Sequence, residues 1–324
     1  MNEHPFDAFR GKLVVVTGGA GFVGSNIVKR LLEAGAHVKV LDDFYTGSEA
    51  NLPKHDELEV ICGSVVDFDL VRETMKGAEY VIHEAARNII VSTKNPREDY
   101  ETNIGGTLNV LLAARELNTP RVVYSSSASV YGNPRHLPIN EDESINLLSP
   151  YSVSKLGGEG YCKSFYETYG TSTAVVRYSN VYGPGQDPAN PYCGVVSKFF
   201  EAVLNGDAPR IHGDGEQTRD FTYVDDAVDA TLMAAVSVKA EGKIYNVATG
   251  REVTINQLAR IIIGLAGKDL EPEYVDRRDI DNIRRRVLSI EKIRMELRWT
   301  PTFTIERGLK RTYEWILSLT KNES

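Results

Sequence analysis

From Lys12 onward, short runs of β-branched and aliphatic residues alternate with longer stretches whose apolar positions recur at helical spacing. The runs Leu13 to Thr17, His37 to Leu41, Leu58 to Cys62, Tyr80 to Glu84, Arg121 to Ser125 and Ala174 to Tyr178 each lead into polar or small residues and are predicted strands. Between them fall helical patterns over Phe22 to Ala34, closed by Gly35, over Pro96 to Asn118, and over Tyr151 to Tyr169, closed by Gly170. Such alternation predicts an α/β fold with a doubly wound parallel sheet, helices on both faces, and ligand groups at the carboxyl ends of the strands. After Tyr178 the texture changes to Gly/Pro-rich loops, a helix over Val195 to Asn205 and short elements through Trp315. The expected division is a sheet domain over residues 1–178, with a returning segment near 220–248, and a smaller α/β domain over 179–324 that supplies the substrate site.

Composition narrows the partners. An apolar fraction of 42% and a charged fraction of 25% over 324 residues are those of an ordinary globular chain. A net charge of -8 repels a phosphate backbone, so nucleic acid is not an expected partner. The longest strongly apolar runs, such as Leu13 to Val16, fall far short of a membrane span, and no basic-then-apolar leader precedes them; the expectation is a cytoplasmic protein without membrane contact. Cys62, Cys162 and Cys193 form no CxxC pair and the six histidines show no HxxxH or HExxH spacing, so buried or inert thiols and no metal are expected.

The turn Gly18-Gly19-Ala20-Gly21-Phe22-Val23-Gly24 leaves the first strand and opens the first helix, the context in which a glycine pattern signals a dinucleotide. Gly18 permits the tight turn, Gly21 lets the backbone approach a pyrophosphate, and Gly24 lets helix and strand pack closely. Asp42 closes the second strand, where a carboxylate accepts ribose hydroxyls and repels a 2'-phosphate, so NAD is favoured over NADP. The sheet is thus expected to be Rossmann-type.

Tyr151 and Lys155 stand four apart at the start of a predicted helix and share one face of it. Upstream, Ser125-Ser126-Ser127-Ala128-Ser129-Val130-Tyr131-Gly132 leaves a strand at its carboxyl end. TGGAGFVG, SSSASVYG, YSVSK and the later RYSNVYGPGQ together resemble the extended short-chain dehydrogenase/reductase family, in its nucleotide-sugar branch, over about Lys12 to Trp315. The resemblance implies Ser127, Tyr151 and Lys155 as the catalytic set. Tyr151, favoured as phenolate by Lys155 and the nicotinamide cation, accepts the proton of a sugar hydroxyl while hydride leaves the same carbon, and Ser127 hydrogen-bonds that oxygen. It also implies cofactor contacts from Phe22, Val23, Ser64, Val65 and Ala85 beside the glycines, Asp42, Tyr151 and Lys155. Ser127, Tyr178, Asn180, Val195, Arg219 and Arg278 are implied on the side of a nucleotide-diphosphate sugar, with UDP the expected nucleotide. A homodimer through Pro96 to Asn118 and Tyr151 to Tyr169 is implied as well.

The fate of the oxidised sugar depends on the residues after Ser127. Dehydratases of the family carry an Asp-Glu pair there and decarboxylases a Glu before Val-Tyr-Gly, whereas this chain has Ala128 and Ser129. Without that carboxylate the simplest outcome is return of hydride to the opposite face, an epimerisation at C4 with NAD neither consumed nor released. The resemblance is strongest to UDP-glucose 4-epimerases, with UDP-glucuronate 4-epimerases close behind. A dehydratase, a decarboxylase, a net dehydrogenase and a silent NAD-binding module remain as alternatives. Three departures bear on the pocket. His83-Glu84-Ala85-Ala86-Arg87 stands where many relatives have His-Leu-Ala-Ala, and its Arg87 either bonds an acidic sugar or faces water. Ser64 stands where relatives often place an Asp for the adenine amino group. Asp281-Asn282-Ile283 departs from the Gly-Asp-Val common in UDP-hexose epimerases. Arg284, Arg285 and Arg286 are read equally as a solvated face or as substrate contacts.

Overall fold

The computed structural model describes residues 5–186, 194–277 and 283–322. In chain order the first half contains β1 (Leu13–Thr17), α1 (Phe22–Glu33), β2 (His37–Asp42), β3 (Leu58–Cys62), α2 (Phe68–Thr74), β4 (Tyr80–His83), α3 (Ile89–Lys94), α4 (Pro96–Asp99), α5 (Thr107–Glu116), β5 (Arg121–Ser127), α6 (Pro150–Tyr169) and β6 (Thr173–Tyr178). The second half contains β7 (Asn180–Tyr182), α7 (Val195–Leu204), β8 (Arg210–His212), β9 (Thr218–Arg219), β10 (Phe221–Tyr223), α8 (Val224–Val236), β11 (Lys243–Val247), β12 (Val253–Thr254), α9 (Ile255–Leu265), β13 (Glu273–Val275), α10 (Glu291–Leu297) and α11 (Ile305–Asn322).

Seven parallel strands form one sheet in the order β11-β6-β5-β4-β1-β2-β3, a Rossmann-type architecture. The chain turns from one direction of winding to the other between β1 and β4, and the crevice at that switch is where such sheets bind ligands. Buried Val14, Val16 and Ile82 face a core shared with α1 and α8, while Val15, Val81 and Tyr124 face one shared with α2, α5 and α6. That alternation is the period-2 rule of strands covered on both faces. Register places Thr17 beside both Leu41 and His83, and Ser127 beside Tyr178, so the residues leaving β1, β4, β5 and β6 meet along one edge.

The continuous helix expected over Pro96 to Asn118 is instead three pieces. Between α4 and α5 the backbone widens to a π-helix over Tyr100–Gly106. This wider turn carries Asn103 inward, where its Nδ2 donates to Asp99 Oδ1 at 2.6 Å, to the Arg87 carbonyl at 3.0 Å and to Ser154 Oγ at 3.1 Å. No hydrophobic periodicity announces such an insertion. Helix α6 begins one residue early, with Pro150 at its first position and a reciprocal cap between Ser149 and Ser152, and ends on Gly170 at φ +71°. Of the thiols, Cys162 is buried, Cys62 is exposed at the end of β3, and Cys193 lies outside the described residues.

Candidate active site

The glycine turn is shaped for a close-lying anion. A Cβ on Gly24 would lie 2.2 Å from the Gly18 carbonyl oxygen, and one on Gly18 would lie 2.6 Å from the Ala85 nitrogen, so neither position admits a side chain. Gly18 also sits at φ +67°, which glycine adopts without strain. Helix α1 starts at Gly21 with no side-chain cap and no acidic residue in its first turn, leaving amide N–H groups and the positive end of the helix to a ligand. Gly18, Gly21, Phe22, Val23, Gly24, Asp42, Val65 and Ala85 line one cleft of ≈ 270 Å³. These features fit a dinucleotide pyrophosphate.

Asp42 is buried at the end of β2, and its two oxygens accept from the Ala20 and Phe44 amides, each at 2.8 Å. Burial pushes its pKa up and the two amides pull it back. A carboxylate has lone pairs to spare beyond two amides, so this one can also accept from a ribose. Ser64 turns into its own loop, accepting from the Val66 amide at 3.3 Å, while Gly63 and Val65 on either side line the cleft. Arg87 does not simply face water. Its guanidinium donates to Asp43 at 2.7 Å and to Glu98 at 2.7 Å, and it stacks 4.0 Å from the centre of the Tyr45 ring. The side chain therefore ties the loop after β2 to α4 across the mouth of the cofactor cleft.

At the other end, β5 and α6 bring Ser127, Tyr151 and Lys155 together. Ser127 Oγ accepts from the Ser129 amide at 3.2 Å, and its hydroxyl favours the ionised form of Tyr151. Lys155 is buried, donates to the Ser125 carbonyl at 2.8 Å, and lies 5.8 Å from the centre of the Tyr151 ring. Burial lowers its pKa to about 8, with Glu84 foremost among the carboxylates that oppose the fall. Burial raises Tyr151 to about 12, and the Ser127 hydrogen bond only partly offsets this. The lysine alone does not make Tyr151 a base at neutral pH; further positive charge is required.

Two buried groups that sequence reasoning missed hold this end in place. One turn beyond Lys155, Glu159 accepts from Ser126 Oγ at 2.5 Å and from Arg177 at 2.8 and 2.6 Å, pinning α6 to β5 and β6. Asp99 accepts from Ser92, Asn103 and Ser154 hydrogens at 2.5, 2.6 and 2.9 Å under the first turn of α6. Glu159 is detectable as the next member of the Tyr151, Lys155 face; Asp99 has no local signal. His83 is neutral, its pKa lowered to about 3 by burial, with Thr17 and Thr107 hydroxyls 2.6 and 3.0 Å from its ring nitrogens.

A second cleft, of ≈ 870 Å³, includes Asn180, Val195, Lys198, Arg219, Arg277 and Arg284. Arg219 is buried, with Nη1 donating to the Thr218 and Ile283 carbonyls at 2.8 Å each. Asp220, its neighbour, faces away and accepts from the Thr249, Gly250 and Leu288 amides. Tyr178 does not take the substrate-facing place expected of it. Its hydroxyl is buried with Glu84 at 3.0 Å and Thr231 at 2.5 Å, because β6 directs this side chain toward α8. Arg278, and Asp281 with Asn282, lie outside the described residues. Arg284 pairs with Asp214 at 2.7 Å and Arg285 with Glu252 at 2.5 Å, both exposed, whereas Arg286 is buried. Among the described residues, no three His, Cys, Asp or Glu side chains are grouped to hold a metal, and no helix is long and apolar enough to cross a membrane.

Comparison with known proteins agrees with this geometry. The model of the NAD dependent epimerase/dehydratase family matches residues 14–248. The UDP-glucose 4-epimerase of Mycolicibacterium smegmatis is 38% identical over 307 residues, covering 93% of this chain and 97% of its own. The structure of Thermotoga maritima UDP-glucose 4-epimerase with UDP-glucose matches with a TM-score of 0.91 at 36% identity, covering 95% of this chain and 99% of that one. The Thermus thermophilus UDP-glucose 4-epimerase in complex with NAD matches with a TM-score of 0.86 at 34% identity, over 94% and 99% of the two chains.

Proposed function

The chain belongs to the NAD dependent epimerase/dehydratase family, and from that premise we propose that it is a nucleotide-sugar 4-epimerase working through a transient 4-keto-sugar on tightly held NAD. UDP-glucose and UDP-galactose are the favoured substrate pair, with UDP-glucuronate the alternative. The observation that carries this reading is the pair of residues after Ser127. Ala128 is buried and Ser129 offers only a hydroxyl, itself buried and without a partner. A carboxylate that could remove a C5 proton or protonate a leaving hydroxyl is missing from those positions. Glu84 does not replace it, being held by Ser125 and Tyr178.

The residues divide the work. Tyr151 takes the proton of the C4 hydroxyl, and Ser127, whose hydroxyl favours the Tyr151 phenolate, steadies the same oxygen. Lys155 contributes a positive charge whose position the Ser125 carbonyl fixes. NAD, when bound, supplies the hydride acceptor and donor and adds positive charge to the cleft. Arg219, held by two backbone carbonyls, is placed to meet the diphosphate as a fixed fork. A homodimer through the segment 96–118 and α6 belongs to the proposal, supported by Tyr100 in that segment and Val153 on α6, exposed by 58% and 50%.

The test is incubation of the purified protein with UDP-galactose and, separately, UDP-glucuronate, without added NAD, followed by separation of the products. The C4 epimer of one substrate is expected. A 4-keto-6-deoxy sugar, a pentose or steady release of NADH would overturn the assignment.

A further inference from the structure

Glu84 has no part in the chemistry above, yet it lines the cofactor cleft. The side chain accepts from Ser125 Oγ and from the Tyr178 hydroxyl at 3.0 Å. Tyr178 is braced in turn by Thr231 at 2.5 Å. These hydrogen-bond partners are all hydroxyls. A positive charge acts on it from Lys155, which reaches the carbonyl of the same Ser125 whose hydroxyl Glu84 engages. One serine thus separates an ammonium from a carboxylate at the catalytic end of the cleft, on the far side of β1 from Asp42. Burial pushes the Glu84 pKa up, while Ser125, Tyr178 and Lys155 favour its charged form.

We propose that Glu84 sets the redox poise of the bound cofactor: its carboxylate, fixed by Ser125 and Tyr178, favours the oxidised over the reduced dinucleotide. The oxidised nicotinamide ring is positive and the reduced ring neutral, so a negative charge in the same low-dielectric cleft stabilises only the former. At an effective dielectric near that of a protein surface, one such charge changes the ratio of the two affinities by about tenfold or more. An enzyme that must end every turnover with its cofactor oxidised gains from that bias. The inference rests on the cofactor and is independent of which sugar is turned over.

The experiment uses the full chain with Glu84→Gln, which keeps the shape and removes the charge. Dissociation constants for NAD+ and NADH are measured together with the midpoint potential of the bound cofactor against reference redox dyes. The expected result is a shift of about tenfold in relative affinity toward NADH and a matching rise in potential. Should the glutamine variant fail to fold, Glu84→Leu serves, because Ser125 Oγ and the Tyr178 hydroxyl lie 3.4 Å apart and can satisfy each other. Glu84→Asp, which keeps the charge, is expected to restore most of the preference. An unchanged ratio, or an equal fall in both affinities, would overturn the proposal.

Discussion

The cofactor cleft and the larger cleft beside Arg219 hold their ligand groups by opposite means. In the first, the decisive atoms are backbone: the amides opening α1, the Gly18 carbonyl that admits no Cβ at Gly24, and the amides that fix Asp42. They come from consecutive strand ends of one sheet. In the second, they are side chains drawn from separate places along the chain, with Ile89 and Ile90 opening α3, Asn180 on β7, Val195 opening α7, Arg219 on β9 and Arg284 beyond β13. A backbone cradle tolerates little change and recognises what all dinucleotides share. A side-chain cleft can be rebuilt residue by residue, which is how selectivity changes on a shared scaffold.

Loss of the proposed catalytic set, Ser127, Tyr151 and Lys155, has the largest expected effect. Tyr151→Phe removes the proton acceptor while keeping the ring packed, and should lower kcat by about a thousandfold with NAD still bound. A residual rate above about one tenth would move the base elsewhere. Gly24→Ala attacks the cradle instead. A methyl 2.2 Å from the Gly18 oxygen forces the turn open, so NAD affinity should fall by about a hundredfold and stability by about 1–3 kcal/mol, read by calorimetry and equilibrium dialysis. An alanine variant that binds NAD normally would show that the turn can relax without cost.

The same contrast explains why some residues are legible in the sequence and others are not. Gly18, Gly21 and Gly24 announce their role because a steric requirement at fixed spacing leaves a short-range mark, and the strand pattern that frames them needs only alternation. Tyr151 and Lys155 are visible because helical geometry places residues four apart on one face. The resemblance implies a substrate contact for Tyr178, but which way a strand residue points is decided by the layers packed on the sheet, here Thr231 of α8. Asn103 is hidden because a π-helix shifts the phase of the pattern that surrounds it. Arg87 looks available in the sequence because its partners Asp43 and Glu98 lie 44 and 11 residues away along the chain.

Arg219 tests the side-chain cleft. Its guanidinium is buried and oriented by the Thr218 and Ile283 carbonyls, so Arg219→Ala should raise KM for a UDP-sugar by about thirtyfold, with a smaller change in kcat and none in NAD retention. Arg219→Lys should recover only part of the loss, since a point charge cannot reproduce a fork. A fall in kcat with KM unchanged would place this arginine in the transition state and not in ground-state binding.

Arg87 carries the smallest expected effect and draws the line between the two clefts. Its ion pairs with Asp43 and Glu98 are partly buried and its ring contact is with Tyr45, three partners that lie on the loop after β2 and on α4. Pairs of this exposure are worth about 1 kcal/mol, so Arg87→Ala should speed NAD dissociation by about fivefold. Asp43→Asn should reproduce part of that gain, and the double variant should add little to Arg87→Ala, because both substitutions break the same tie. Neither change should discriminate between UDP-galactose and UDP-glucuronate. If Arg87→Ala instead raises KM for the uronate alone and leaves NAD dissociation as it was, the guanidinium leaves Asp43 to meet an acidic sugar, and the boundary between the backbone cradle and the side-chain cleft must be moved to include it.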